Sequence, residues 1–405
     1  MNAEVRATLL VILLVAVTAP LIALWAGRRV RVPGIVLEIG LGIVVGPHVL
    51  GWAHPNAIIN ALAAFGMLLL FFAAGYELDF SRVKGRPAML GAAGWAASAA
   101  IAIGVGSALE ASGLVSSALI VALAMTTTAV GAILPMLRDA GETDTAFGRF
   151  ATAAGAIGEF APIVVMALVL SETDLGRTAA VIALYGGIAV LAGVLASMAH
   201  VPELIAVSRR MMHSSAQLPM RVALLALAAF VFLSRELGLD AVLGAVAAGI
   251  VISLAVHEDQ REVMAHKVDG IGFGFFIPMF FIVSGMRFDL TALLATPLTL
   301  LKVPLFLALF LVVRGTPALL LYRRHLPFNE RLATALLCAT ELPLVVAITT
   351  VGVATGKMHA ENAAALVGAG MLSVLLFPVL AFRLKGAAAS AAPAAAAVAD
   401  PPSKA

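Results

Sequence analysis

Gly155-Ala156-Ile157-Gly158-Glu159-Phe160-Ala161-Pro162 is the stretch on which the fold turns. Glu159 lies near the middle of an apolar run, from about Phe147 to Leu170, that is long enough to cross a bilayer. A carboxylate at that depth costs roughly 2.5–3.5 kcal/mol on insertion scales, and is tolerated where it faces a cavity, an ion path or a partner charge. Glu159 is therefore expected to hold a proton and a cation in turn. The competing reading is a protonated acid hydrogen-bonded inside a helix bundle.

The composition around this stretch agrees with a membrane setting. Of 405 residues, 62% are hydrophobic and 12% charged, and the mean hydropathy is +1.05. A soluble domain carries about twice that charged fraction. The net charge of +3 reflects basic loops between apolar spans rather than affinity for nucleic acid, and no nucleic-acid partner is expected. The single Cys338 lies in an apolar span, cannot form an internal disulfide, and is expected to pack as a small hydrophobe.

Hydropathy places about thirteen spans, near 7–26, 32–51, 57–78, 87–109, 114–137, 147–170, 178–199, 219–235, 239–256, 270–286, 296–322, 331–354 and 362–382. The eighth, ninth and tenth are short. Most of the 26 Lys and Arg residues fall in one set of alternate loops, such as Arg28-Arg29, Arg82 to Arg86, Arg209-Arg210 and Arg323-Arg324. The opposite loops carry only Arg6, Arg177, Arg235, Arg287 and Lys357. By the positive-inside rule the N-terminus is outside and the C-terminus cytoplasmic, in the cell membrane. Residues 386–405, mostly Ala and Pro, are expected to be a disordered tail. No Walker motif, zinc spacing or nucleophile–base order appears, so neither an enzyme nor a cofactor is expected. The glycines of Gly40-Leu41-Gly42-Ile43-Val44-Val45-Gly46 lie within a span and point to close helix packing.

Two spans carry polar residues at mid-depth beside helix-weakening ones: Met125-Thr126-Thr127-Thr128-Ala129 in the fifth, and Ala339-Thr340-Glu341-Leu342-Pro343 in the twelfth. Successive Thr residues lower helix propensity and their hydroxyls can bond backbone carbonyls. Pro343 removes an amide donor and disfavours helix at Leu342. Unwound backbone at membrane depth is allowed where it lines a cavity, and interrupted segments in corresponding places of two halves point to a substrate site. Arg314, in the long eleventh span, is either a fixed positive charge near these half-helices, paired with Glu159 or Glu341, or a side chain snorkelling to the surface. Lys302, near the other end of that span, is expected to snorkel. Glu341 is a second ion ligand or a structural partner of Arg314.

These residues resemble the monovalent cation:proton antiporters, the sodium/proton exchanger and Kef-type group, over about residues 7–383. The resemblance rests on Val32-Pro33-Gly34-Ile35-Val36-Leu37-Glu38-Ile39-Gly40 with Val45-Gly46-Pro47-His48-Val49-Leu50-Gly51, on Phe72-Ala73-Ala74-Gly75-Tyr76-Glu77-Leu78-Asp79, on Gly244 to Ser253, and on Pro278 to Met286. It implies an all-α polytopic membrane protein of inverted repeats with two crossing broken helices. Residues 1–385 would form the exchanger domain, with a core near 87–170 and 296–382 and the other spans in a panel that forms a homodimer. It implies that Glu159 is the ion-binding acid, that Thr126, Thr127, Thr128, Thr340 and Glu341 line the site, and that Arg314 is the charge partner. The expected cargo is a monovalent cation, Na⁺ or K⁺, against H⁺. Alternatives are a gated K⁺ efflux channel and an antiporter of organic cations or drugs. Where many members carry two adjacent acids or Asn-Asp, this chain reads Gly158-Glu159.

Overall fold

Every element in the computed structural model of the chain is helical among the described residues, which are 3–26, 33–77, 85–169, 175–198, 217–294 and 297–397. Nine of the helices described are long and apolar enough to cross a membrane, and three more are shorter apolar helices. Contacts divide the chain into two units, one of Met1–Asp79 with Ile163–Leu290, the other of Phe80–Pro162 with Thr291–Ala405.

The first unit holds α1 (Ala3–Ala26), α2 (Gly34–Val45), α3 (Ala57–Glu77), α8 (Leu175–Met198), α9 (Leu218–Glu236) and α10 (Ala241–Ala255). It also holds α11 (Glu258–Ile271), which runs through a π-helical turn, Gly272–Phe276, into α12 (Ile277–Met286). The tenth span, expected as a short segment from residue 270, is thus the end of a longer rod whose first half is charged. Helices α2 and α12 meet backbone to backbone. A Cβ on Gly42 would collide with the Ile282 carbonyl, so the glycine run of α2 serves packing. Around that contact Ile12, Val15, Val45, Ile59, Met279 and Val283 form a buried apolar cluster.

The second unit holds α4 (Gly85–Ala111), then a pair of short helices, α5 (Ala118–Ala124) and α6 (Val130–Asp139). Helix α7 (Ala146–Val169) carries Glu159. The short α13 (Leu290–Leu294) is followed by α14 (Pro297–Phe310), a π-helical turn, Leu311–Gly315, and α15 (Thr316–Leu321). A second interrupted pair, α16 (Phe328–Cys338) and α17 (Pro343–Ala354), precedes α18 (Ala360–Ala397). Helix α18 continues into the stretch expected to be disordered; residues 398–405 of that stretch lie outside the described residues, as does the loop 199–216.

Both interruptions have local causes. In the first, the Thr126 hydroxyl donates to the Leu123 carbonyl at 2.8 Å and the Thr127 hydroxyl to the Ala124 carbonyl at 3.1 Å. Side chains thus satisfy groups that the helix ladder would otherwise use. In the second, Pro343 has no N–H and opens α17, and Leu342 takes φ −157° and ψ −60°, outside the helical region. The π-helical turn before α15 has a similar origin, since Pro317 offers no N–H to Val313; such turns are frequent at functional sites, and this one carries Arg314.

Lys302 does not snorkel. It is 6% exposed, and its ammonium donates to Glu361 Oε1 at 2.9 Å and Asn362 Oδ1 at 2.7 Å at the start of α18. Further along α18, Lys385 pairs with Glu142 Oε2 at 2.5 Å and Glu330 Oε1 at 3.5 Å, and lies over the Phe147 ring. These two ammonium groups tie α18 to α14, to α16 and to the turn before α7.

Candidate ion-exchange site

The two unwound stretches, Met125–Ala129 and Ala339–Leu342, lie against each other inside the second unit. The Ala129 N–H donates to the Thr340 carbonyl at 2.7 Å. The Thr128 hydroxyl donates to the Cys338 carbonyl at 2.6 Å. The Thr127 hydroxyl reaches Glu341 Oε2 at 3.3 Å. Backbone groups freed by one broken helix are therefore satisfied by the other, which is how irregular backbone survives at membrane depth. Thr126, Thr127, Thr128, Thr340 and Glu341 are all buried. The Thr340 hydroxyl turns back to its own helix, donating to the Leu336 carbonyl at 3.0 Å. Cys338 is a buried free thiol, packed as expected.

Glu341 is wholly enclosed, with 0% exposure. Its Oε1 has no hydrogen-bond partner among the described residues. A buried oxygen left without a partner is costly, and its presence asks what ligand meets it. Glu159 is less deeply placed than its run of apolar neighbours suggests; it is half-buried on α7.

Arg314 is 3% exposed and sits beside this junction. Its Nε and Nη2 donate to Thr128 Oγ1 at 3.1 and 2.8 Å. Nη2 also donates to the Ala154 carbonyl of α7 at 3.2 Å, and Nη1 to Ser98 Oγ of α4 at 3.3 Å. The oxygens in these four hydrogen bonds are neutral, so they hold the guanidinium without cancelling its charge. With Thr128 on Arg314 and Thr127 on Glu341, two adjacent Thr residues stand between the base and the acid.

Gly158 explains how the guanidinium fits. A Cβ there would collide with Arg314 Nη2 and would stand 2.7 Å from Thr128 Oγ1. The space that a side chain at 158 would occupy is filled by Arg314. Ser98 and the Ala154 carbonyl belong to the site and were not legible in the sequence. A single Ser in an Ala-rich helix and a backbone oxygen carry no sequence signal.

A family model described as "Sodium/hydrogen exchanger, transmembrane" matches residues 13–383. The chain belongs to that family. As a member of the sodium/hydrogen exchanger family it is a multi-pass membrane protein of a transporter family, not an enzyme. This exchanger-family chain is 25% identical over 391 residues to YjbQ of Bacillus subtilis, covering 92% of the chain and 62% of that relative. It is 27% identical over 278 residues to GerN of Bacillus cereus, an Na(+)/H(+)-K(+) antiporter, covering 64% of the chain and 66% of GerN. The chain thus spans a little under two thirds of the length of these relatives. The solved structure of the sodium proton antiporter MjNhaP1 from Methanocaldococcus jannaschii at pH 8 matches with a TM-score of 0.64 and 17% identity, over 94% of this chain and 99% of that one. That likeness shows the shared fold.

Proposed function

We propose that the chain is a secondary active antiporter that exchanges a monovalent cation, Na⁺ or K⁺, for H⁺ by alternating access. The observation that carries this reading is the enclosed Glu341, with an oxygen lacking a partner among the described residues, where two broken helices meet beside a buried arginine. Burial favours the neutral form of a carboxylate, whereas a nearby cation favours the charged form, so proton and cation compete for one acid. Glu159 and Glu341 are the acids of this exchange. Thr126, Thr127, Thr128 and Thr340 supply the oxygen-rich surroundings that a hard cation prefers, in the manner of transporter sites built on unwound helices.

Thr127 adds a detail to the exchange. Its hydroxyl carries one proton and lies within reach of both the Ala124 carbonyl and Glu341 Oε2. It donates to the carboxylate when that group is charged and to its own helix when the group is protonated. Arg314 supplies a permanent positive charge beside the carboxylates when no ion is bound. The names of the relatives support both Na⁺ and K⁺ as cargo. The chain acts as a homodimer in the cell membrane, with the N-terminus outside and the C-terminus in the cytoplasm.

The test is proton flux in proteoliposomes, with Na⁺, K⁺ and Li⁺ compared at fixed membrane potential. The expected result is saturable flux with at least one of the three cations, reversed in direction by an imposed pH gradient. Unitary currents, or cation flux without proton movement, would contradict exchange.

A further inference from the structure

Glu341 lies in unwound backbone, so no helix ladder fixes its peptide planes. Instead its N–H donates to Ser373 Oγ of α18 at 2.9 Å. The single Ser373 proton goes to the Glu341 carbonyl at 2.9 Å or to the Gly370 carbonyl at 2.8 Å. Ser373 is wholly buried, with 0% exposure. One turn earlier on the same face of α18, a Cβ on Gly370 would stand 2.8 Å from the Glu341 carbonyl oxygen and 3.2 Å from Leu342 Cδ1. The close approach of α18 therefore depends on a residue without a side chain at 370, and it brings one hydroxyl to the backbone of the enclosed acid.

We propose that Gly370 and Ser373 form a seat on α18 that positions Glu341, with Ser373 as a positioning residue of the exchange site. The proposal rests on the reading of Glu341 as a ligand of that site. Two neighbouring carbonyls are tied to the first crossing, Cys338 O to Thr128 and Thr340 O to Ala129, and Leu342 O accepts from the Val346 N–H of α17. Glu341 is the crossing residue whose backbone is held by α18 through both its N–H and its carbonyl. The direction of the carboxylate into the junction is set by that peptide, since a side chain starts from the orientation of its own backbone. A seat of this kind acts on affinity for the ion in the molecules that fold, whatever its effect on stability. Removing the hydroxyl leaves the buried Glu341 N–H without a partner, and the peptide turns to find another.

The test is cation-dependent proton flux for Ser373→Ala, Ser373→Thr and Gly370→Ala, with Glu341→Gln measured alongside. Ser373→Ala is expected to raise the apparent KM for the cation about tenfold, the scale of one lost buried hydrogen bond, with the maximal rate kept. Ser373→Thr, which keeps the hydroxyl, is expected to stay nearer the parent KM than Ser373→Ala. Gly370→Ala keeps the hydroxyl but presses on the Glu341 carbonyl, and is expected to raise KM in the same direction. An unchanged KM in Ser373→Ala and Gly370→Ala overturns the proposal. So does a lower yield of folded protein with an unchanged KM in what is recovered, because that marks a contact that is structural only. If Glu341→Gln itself transports like the parent, the exchange-site reading fails. If Glu341→Gln is inactive while Ser373→Ala keeps its KM, only the seat fails.

Discussion

Glu341→Gln is expected to abolish cation-driven proton flux while the protein still inserts and folds. The amide has the shape of the acid and can still meet Thr127, so the packing around the crossing survives. It cannot carry a charge, and a cation that depends on that charge loses about 3 kcal/mol, roughly a hundredfold in affinity. Glu159→Gln is expected to give the same loss, since a carboxylate on a spanning helix is retained for function rather than stability. The two acids differ in their surroundings. Glu341 is enclosed with one oxygen lacking a partner among the described residues, and Glu159 is half-buried on α7. The measurement is flux in proteoliposomes, with folding checked by gel filtration. A variant that transports at the parent rate removes that acid from the exchange.

Gly158→Ala is expected to cost both stability and transport, although it adds one methyl group. The added Cβ falls on Arg314 Nη2 and near Thr128 Oγ1. Overpacking by a single methylene costs about 1–3 kcal/mol where neighbours can adjust. Arg314 cannot adjust freely, because its nitrogens are committed to Thr128, Ala154 and Ser98. Pushing it aside breaks hydrogen bonds of a buried charge, and an uncompensated buried charge costs about 3–5 kcal/mol. The expected outcome is a lower thermal midpoint and flux near background. A Gly158→Ala protein with the parent midpoint and flux would mean that the guanidinium does not rely on this gap.

Much of this architecture was legible in the sequence because it depends on neighbours along the chain. Apolar runs gave the spans, and Thr126-Thr127-Thr128 and Thr340-Glu341-Leu342-Pro343 gave the interruptions, each from local chemistry. What was not legible depends on residues far apart. Arg314 pairs with Thr128 across 186 positions, and no periodicity indicates that its acceptors are neutral oxygens rather than carboxylates. Lys302 was expected to reach for water because a Lys near a span end does so by default. Its partners, Glu361 and Asn362, come about sixty residues later and keep it buried. The tenth span was cut short by the charges of Glu262, Lys267 and Asp269, which end a hydropathy signal but not a helix. Ser373 gave no signal at all, as its importance is set by which backbone it meets.

Competition of proton and cation for buried acids is tested most directly by proton release from the purified protein in weak buffer as Na⁺ or K⁺ is added. Release that saturates with the cation, and that is lost in Glu159→Gln and Glu341→Gln, is the result expected. Cation binding with no proton released, at any pH where the protein is folded, would contradict it.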